Sequence, residues 1–315
     1  MADPELQRRE EFLVEGEPFR QNAFLIINEM VAMERQKPNR VLVDEVHHSI
    51  FFLGKINTPP FPPEMILSDA EVLNAFKSLY PGPFEKCSSQ VPRRSPFSCV
   101  LDMVVYVTGQ VNEGAIIQQL QQFIGELRGG INKKPLVSKA ICVSQSKSPG
   151  SVRYYGVSMS TDATGRKKVL IGASCLRIWH TYVADAVMTF YPEKATGGFA
   201  RKTYFDGTIR VPEQNVRCVT FDLYNGEVKP PCKSCRELFG LTGGATEATV
   251  PYGNCAEAES LSNLFRVDEA VRDQVPAPTG GDRARAERTV LEAHRGLVRS
   301  FPVFNQWTDH FYIPQ

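Results

Sequence analysis

Three of the eight cysteines, Cys232, Cys235 and Cys255, fall within 24 residues, whereas Cys87, Cys99, Cys142, Cys175 and Cys218 are scattered. The first two stand in Pro231-Cys232-Lys233-Ser234-Cys235-Arg236-Glu237. Proline suits the start of a helix, where its missing N–H is not needed. Residues three apart share a helix face, so both thiols point the same way. The partial positive charge of a helix start favours thiolate over thiol. Two thiolates on one face suit a soft divalent metal such as zinc.

The third cysteine opens a second helix, Gly253-Asn254-Cys255-Ala256-Glu257, whose apolar face is Ala258, Leu261, Leu264 and Phe265. Three protein ligands leave zinc one open position, which marks a catalytic site. Water bound there ionises near neutral pH and becomes a nucleophile. Glu257, over the same helix end, is placed to take that proton and deliver it to a ring nitrogen and a leaving amine. Three thiolates on Zn²⁺ leave a net charge of −1, which Arg236 could offset by hydrogen-bonding a sulfur.

Plainer readings compete. A lone Cys-x-x-Cys also serves as a redox pair. Cys218 could join the other three in a closed structural zinc site, leaving a non-catalytic interaction protein. Asn254-x-x-Glu257 has the spacing of a capping box, with Asn254 as N-cap. His47, His48, His180, His294 and His310 show no ligand spacing and read as surface or core residues.

At Cys255-Ala256-Glu257 and Pro231-Cys232-x-x-Cys235 the chain resembles the cytidine deaminase superfamily, whose zinc signature pairs these two helix starts. The cysteine in place of histidine, and the arginine after the second motif, are most similar to its free-nucleoside branch. The resemblance covers about 150–270. It implies Cys232, Cys235 and Cys255 as zinc ligands, Glu257 as proton shuttle, and Arg236 and Asn254 as supporting residues. It further implies a hydrolase acting on a cytosine- or adenine-type amine. A homo-oligomer with pockets completed across subunits is implied as well. In the family the Ala-Glu motif comes first; here it follows, with 19 residues between Cys235 and Cys255. The expected fold is therefore α/β, a three-layer cytidine-deaminase-like sheet with helices on both faces, rewired or permuted.

The elements that must position these residues follow from periodicity. A mainly helical region is expected over 1–130, with a Pro-rich break at 58–65 and a helix beginning at Ser68-Asp69. Residues 98–107 suit a buried strand or a core helix, and a further helix ends at Gly129-Gly130. The zinc domain is expected over 131–274. Its strands are 152–160 and 167–174, joined as a hairpin, then 202–211, 216–223 and 246–250, with a helix over 175–191. Asn225-Gly226 turns the chain before the first cysteine helix. A linker over 275–283, a charged helix to 299 and an aromatic tail complete the chain. The arginines of that helix alternate with acidic residues and read as a solvated face.

Composition bounds the partners. The 315 residues are 42% hydrophobic and 23% charged, and Lys+Arg 36 against Asp+Glu 35 leaves +1. That balance gives no basic footprint for a polynucleotide and favours a small nucleoside or base as substrate. No apolar run reaches the roughly 20 residues of a membrane span. The N-terminus lacks a signal-peptide core, so a reducing compartment, cytoplasm or nucleus, is expected.

Overall fold

The computed structural model describes residues 4–130, 134–161, 164–191, 201–243, 250–277 and 281–315. Among them it is a mixed α/β protein of thirteen α-helices and one four-stranded antiparallel sheet. The helical region comprises α1 (Pro4–Gln36), α2 (Arg40–Lys55), α3 (Pro63–Ile66), α4 (Ala70–Leu79), α5 (Pro81–Lys86), α6 (Pro96–Thr108) and α7 (Glu113–Glu126). Then come β1 (Ala140–Ser146), β2 (Arg153–Val157), α8 (Thr164–Arg177), α9 (Thr181–Phe190), β3 (Val216–Asp222) and β4 (Val228–Lys229). The chain ends with α10 (Lys233–Phe239), α11 (Ala256–Val267), α12 (Glu269–Arg272) and α13 (Arg283–Arg299).

Strand order is β2-β1-β3-β4. Register places Cys142 between Gly156 of β2 and Thr220 of β3, and Ser144 opposite Cys218. Side chains alternate across a sheet, and here both faces are covered. Ile141, Val143, Tyr155 and Val157 join the apolar core built by α1, α2, α6 and α7. On the other face Ala140 and Cys142 meet Ala256 of α11, and the Ser144 and Ser260 hydroxyls lie 2.8 Å apart.

Helix α11 lies flush on β2 because Gly156 has no side chain. A Cβ there would come within 2.2 Å of the Ser260 backbone nitrogen and 2.6 Å of the Ala256 carbonyl. The outer edge of β2 is closed by side chains. Asn263 donates to the Tyr155 carbonyl (2.9 Å), Gln110 donates to the Arg153 carbonyl (2.7 Å), and Glu259 accepts from Val157 N–H (2.8 Å). These contacts satisfy backbone groups that an open edge would leave for another strand.

Several expected elements differ. Residues 167–174 are helical, within α8, and the hairpin partner of β2 is β1, across the loop 147–152. Val169, Leu170, Ile171 and Ala173 are all buried, so an all-round apolar run hides the helical period. Residues 175–191 are not one helix, since α8 ends at Arg177 and α9 starts at Thr181. Residues 202–211 form no strand; the N–H groups of Ile209 and Val211 instead donate to carbonyls of Leu238 and Phe239 at the end of α10. Residues 98–107 are helical, and α7 is capped at Leu127 rather than by Gly129-Gly130. Of the expected strand 246–250, residues 246–249 lie outside the described residues. The strand at 216–223, the turn at Asn225-Gly226 and both cysteine helices are present, with Asp69 capping α4. No helix is long and apolar enough to cross a membrane.

Candidate metal centre

Two helix starts converge on one point. In the first, Cys232 is the N-cap of α10, with Cys235 one turn on, and Gly240 ends the helix in the left-handed conformation (φ 65°). In the second, Cys255 is the N-cap of α11, with Glu257 in the first turn. Gly253 holds φ 85° where a Cβ would press on Ile171, Val187 and Trp179, at 2.9, 3.0 and 3.2 Å. Only glycine lets the chain enter α11 so close to the apolar cluster of Ile171, Trp179 and Val187.

The Sγ of Cys232 lies 3.6 Å from that of Cys235 and 3.3 Å from that of Cys255. All three sulfurs lie within 4.8 Å of one another, and they form a group that could hold a metal ion. A tetrahedral zinc with bonds of about 2.3 Å sets sulfurs ~3.8 Å apart, so the spacing suits that ion. Among the described residues no fourth histidine, cysteine or carboxylate joins the group. Cys218 instead sits beside Cys142, sulfur to sulfur at 3.5 Å, under Ala256. The closed four-cysteine arrangement is therefore not formed.

Hydrogen bonding among the three sulfurs shifts their acidities in opposite directions. The thiols of Cys235 and Cys255 hydrogen-bond to Cys232 and pull its pKa far down, helped by the N–H groups of Cys235 and Ser234. The same contact with Cys232 pushes Cys235 and Cys255 up.

A cavity of about 510 Å³ opens beside the sulfurs. That size lies within the range of about 300–1,000 Å³ usual for sites that take small organic molecules. Cys232, Cys255, Glu257 and Asn254 line it, while Cys235 is fully buried behind. Glu257 is 5% exposed, and burial raises its pKa against smaller help from its own N–H and the Thr220 hydroxyl. It does not complete a capping box. Cys255, not Asn254, caps α11, and Asn254 turns a buried side-chain oxygen without a hydrogen-bond partner. Arg236 lines a different hollow, with Thr208, Arg210 and Gly240, which shares no lining residue with the cavity.

The structure adds residues that the spacing did not single out. Thr220 and Asp222 reach the cavity from β3, Asn225 and Glu227 from the following turn, and Lys139, Lys167 and Lys229 from its surroundings. The alternation of β3 was the available signal: Cys218, Thr220 and Asp222 share the face that meets α11. Trp179 and Tyr252 are buried in a second apolar core shared by α9, α10 and α11, with Tyr252 stacked on Phe190 at 4.0 Å.

The fold and site thus define a mixed α/β protein with a three-cysteine group at a cavity that could hold a metal ion. No family model, no curated protein and no solved structure matches the chain.

Proposed function

We propose that the protein is a zinc-dependent hydrolytic deaminase acting on a cytosine- or adenine-type ring amine. The observation that carries this reading is the convergence of three sulfurs, with no fourth ligand among the described residues, beside a cavity that Glu257 also lines. Cys232, Cys235 and Cys255 would hold the ion, and the open side would face the cavity. Bound zinc would supply an activated water as nucleophile.

The protein's own residues do the rest. Burial keeps the Glu257 carboxyl ready to carry protons one at a time: the first would pass from the attacking water to the ring nitrogen, and the second from the hydroxyl of the tetrahedral adduct to the amine, which then leaves as ammonia. Thr220 steadies that carboxyl from β3. Asn225 and Glu227 meet at the cavity edge, where the Asn225 amide donates to the Glu227 carboxylate (2.9 Å), and this pair would turn towards polar groups of the substrate. The sheet between α11 and the helical region supports a rewired cytidine-deaminase-like arrangement, because the two helix starts meet in space despite their exchanged order in the chain.

The test is Glu257→Gln in metal-loaded protein, assayed for ammonia release from cytidine, adenosine and their phosphates. Wild-type turnover that falls by about 10²–10⁴ in the variant, with metal content unchanged, supports the enzyme. A wild-type protein that binds zinc and releases no ammonia from any of these defeats it.

A further inference from the structure

Five of the cysteines form two close sets, which differ in access. In the first, the Cys232 sulfur lies 3.3 Å from that of Cys255 and 3.6 Å from that of Cys235. In the second, Cys142 of β1 and Cys218 of β3 lie 3.5 Å apart, so proximity does not separate the sets. Cys232 and Cys255 are half-buried and line the cavity, whereas neither Cys142 nor Cys218 lines it. Cys235 is fully buried behind the other two. Cys87, Cys99 and Cys175 are enclosed in the apolar cores, where burial pushes their thiols up and keeps them protonated. The thiolate, not the thiol, attacks an oxidant. A metal ion holds its cysteine ligands as thiolates, so a small solute in the cavity meets two nucleophilic sulfurs from different helices.

We propose that Cys232 and Cys255 are a redox-sensitive clasp: a hydroperoxide entering the cavity joins them as a disulfide between the starts of α10 and α11 and so releases the metal ion. One thiolate attacks a peroxide oxygen, breaks the O–O bond and becomes a sulfenic acid. The other oxygen leaves with the bonding electrons and takes up a proton. The second thiolate then attacks the sulfenic sulfur, forms the S–S bond and expels hydroxide, which also takes up a proton. The two sulfurs lose one electron each, and the two peroxide oxygens gain them. A bond of about 2.05 Å requires sulfurs 3.3 Å apart to close by only about 1.2 Å. Cys235, left as the one free thiolate of the group, holds zinc poorly. The competing pair, Cys232 with Cys235, has the longer contact and its second sulfur lies away from the cavity. The inference rests on the metal-centre part of the proposed function and not on deamination.

The experiment treats zinc-loaded full-length protein with hydrogen peroxide. Released zinc is read with a chromogenic chelator, free thiols are counted, and disulfides are mapped by mass spectrometry of unreduced digests. Ammonia release is followed in parallel. The expected result is loss of bound zinc in step with a single mapped disulfide, Cys232 to Cys255, reversed by dithiothreitol and fresh zinc. Cys218→Ala should leave the rate and extent of release unchanged. A disulfide mapped to Cys232–Cys235 or Cys142–Cys218 overturns the proposal, as does oxidation to sulfinic acid with no disulfide. Reduced protein that takes up no zinc sinks the metal centre, the clasp and the deaminase together. Zinc loss through the mapped disulfide, in protein that releases no ammonia before treatment, sinks the deaminase alone. Zinc retained and ammonia release undiminished under peroxide sink the clasp alone.

Discussion

Helices α2 and α11 both bury groups that can ionise, and they use burial differently. On α2, His47 is fully enclosed by Phe51, Phe76 and Tyr80, and neither of its ring nitrogens has a hydrogen-bond partner. Its neighbour His48 stacks on Tyr312 at 3.7 Å. Burial pushes both down to about 3, so they are neutral core side chains. On α11, Glu257 is buried to a similar degree but lines a cavity beside three sulfurs. Burial alone therefore does not mark a site. What separates the two is convergence with other reactive groups on a space that a ligand can enter.

Substitution should break this comparison cleanly. Cys255→Ser should abolish tight metal binding, read by elemental analysis, because two thiolates and a hydroxyl hold zinc poorly. Glu257→Gln should keep the metal and lose turnover. His47→Leu should leave both unchanged and raise the melting temperature, since it removes a buried polar ring lacking partners, a burden of about 1–3 kcal/mol. If His47→Leu lowered turnover as Glu257→Gln does, the two helices would not differ as argued.

The next effect is mechanical. Gly156→Ala places a methyl group against the α11 backbone, and backbone cannot rotate away as a side chain can. The helix must lift from β2, carrying Cys255 and Glu257 with it. A loss of about 3 kcal/mol in chemical denaturation is expected, at the upper end of the range usual for overpacked cores. Metal affinity should fall in parallel. Unchanged stability would mean that α11 is not seated by the sheet.

The site was more legible in the sequence than the sheet that supports it. Cysteine spacing, Pro231 and the Ala-Glu step report local helix starts, and local signals need no tertiary context. The metal-ligand convergence then followed from shared chemistry. Strand β1 was overlooked because Ala140–Ser146 mixes small polar and apolar residues; its burial on both faces comes from α11 and the helical region, which lie far off in the chain. The stretch Lys167–Ser174 misled for the opposite reason: β-branched residues fill a helix that is packed on every side. Asn254 looked like a helix cap, yet Gly253 shifts the entry by one residue and gives that place to Cys255.

The two helices should also respond to pH with opposite signs. The folded state holds His47 and His48 neutral at about 3, against 6.5 for an ordinary histidine. Only the unfolded chain takes up these protons between those values, so stability present above about pH 6.5 is lost as pH falls. Glu259 behaves conversely. Burial raises it to about 7, with Asp102 adding to the shift. The folded state binds the extra proton, so stability present below pH 4.5 is lost as pH rises through about 7. The cost is about 3 kcal/mol in full. Melting curves of Glu259→Gln should lack the loss between pH 5 and 7, while His47→Leu should flatten the acid side. A Glu259→Gln curve with the wild-type slope would remove the carboxylate from this account.

The smallest effect sharpens the contrast between the helical region and the sheet. Gly125 sits within α7, and a Cβ there meets nothing within 4 Å. Unlike Gly156, it makes no close approach, and its φ is not in the left-handed range. Alanine removes backbone freedom from the unfolded chain at no steric cost, so Gly125→Ala should stabilise by about 0.4–1 kcal/mol. Metal content and turnover should not change, because the added methyl group meets no neighbour and leaves the contacts of α7 with the sheet in place. The same chemical change, glycine to alanine, is thus expected to stabilise one helix and unseat another. The difference lies wholly in whether a neighbouring backbone already occupies the space.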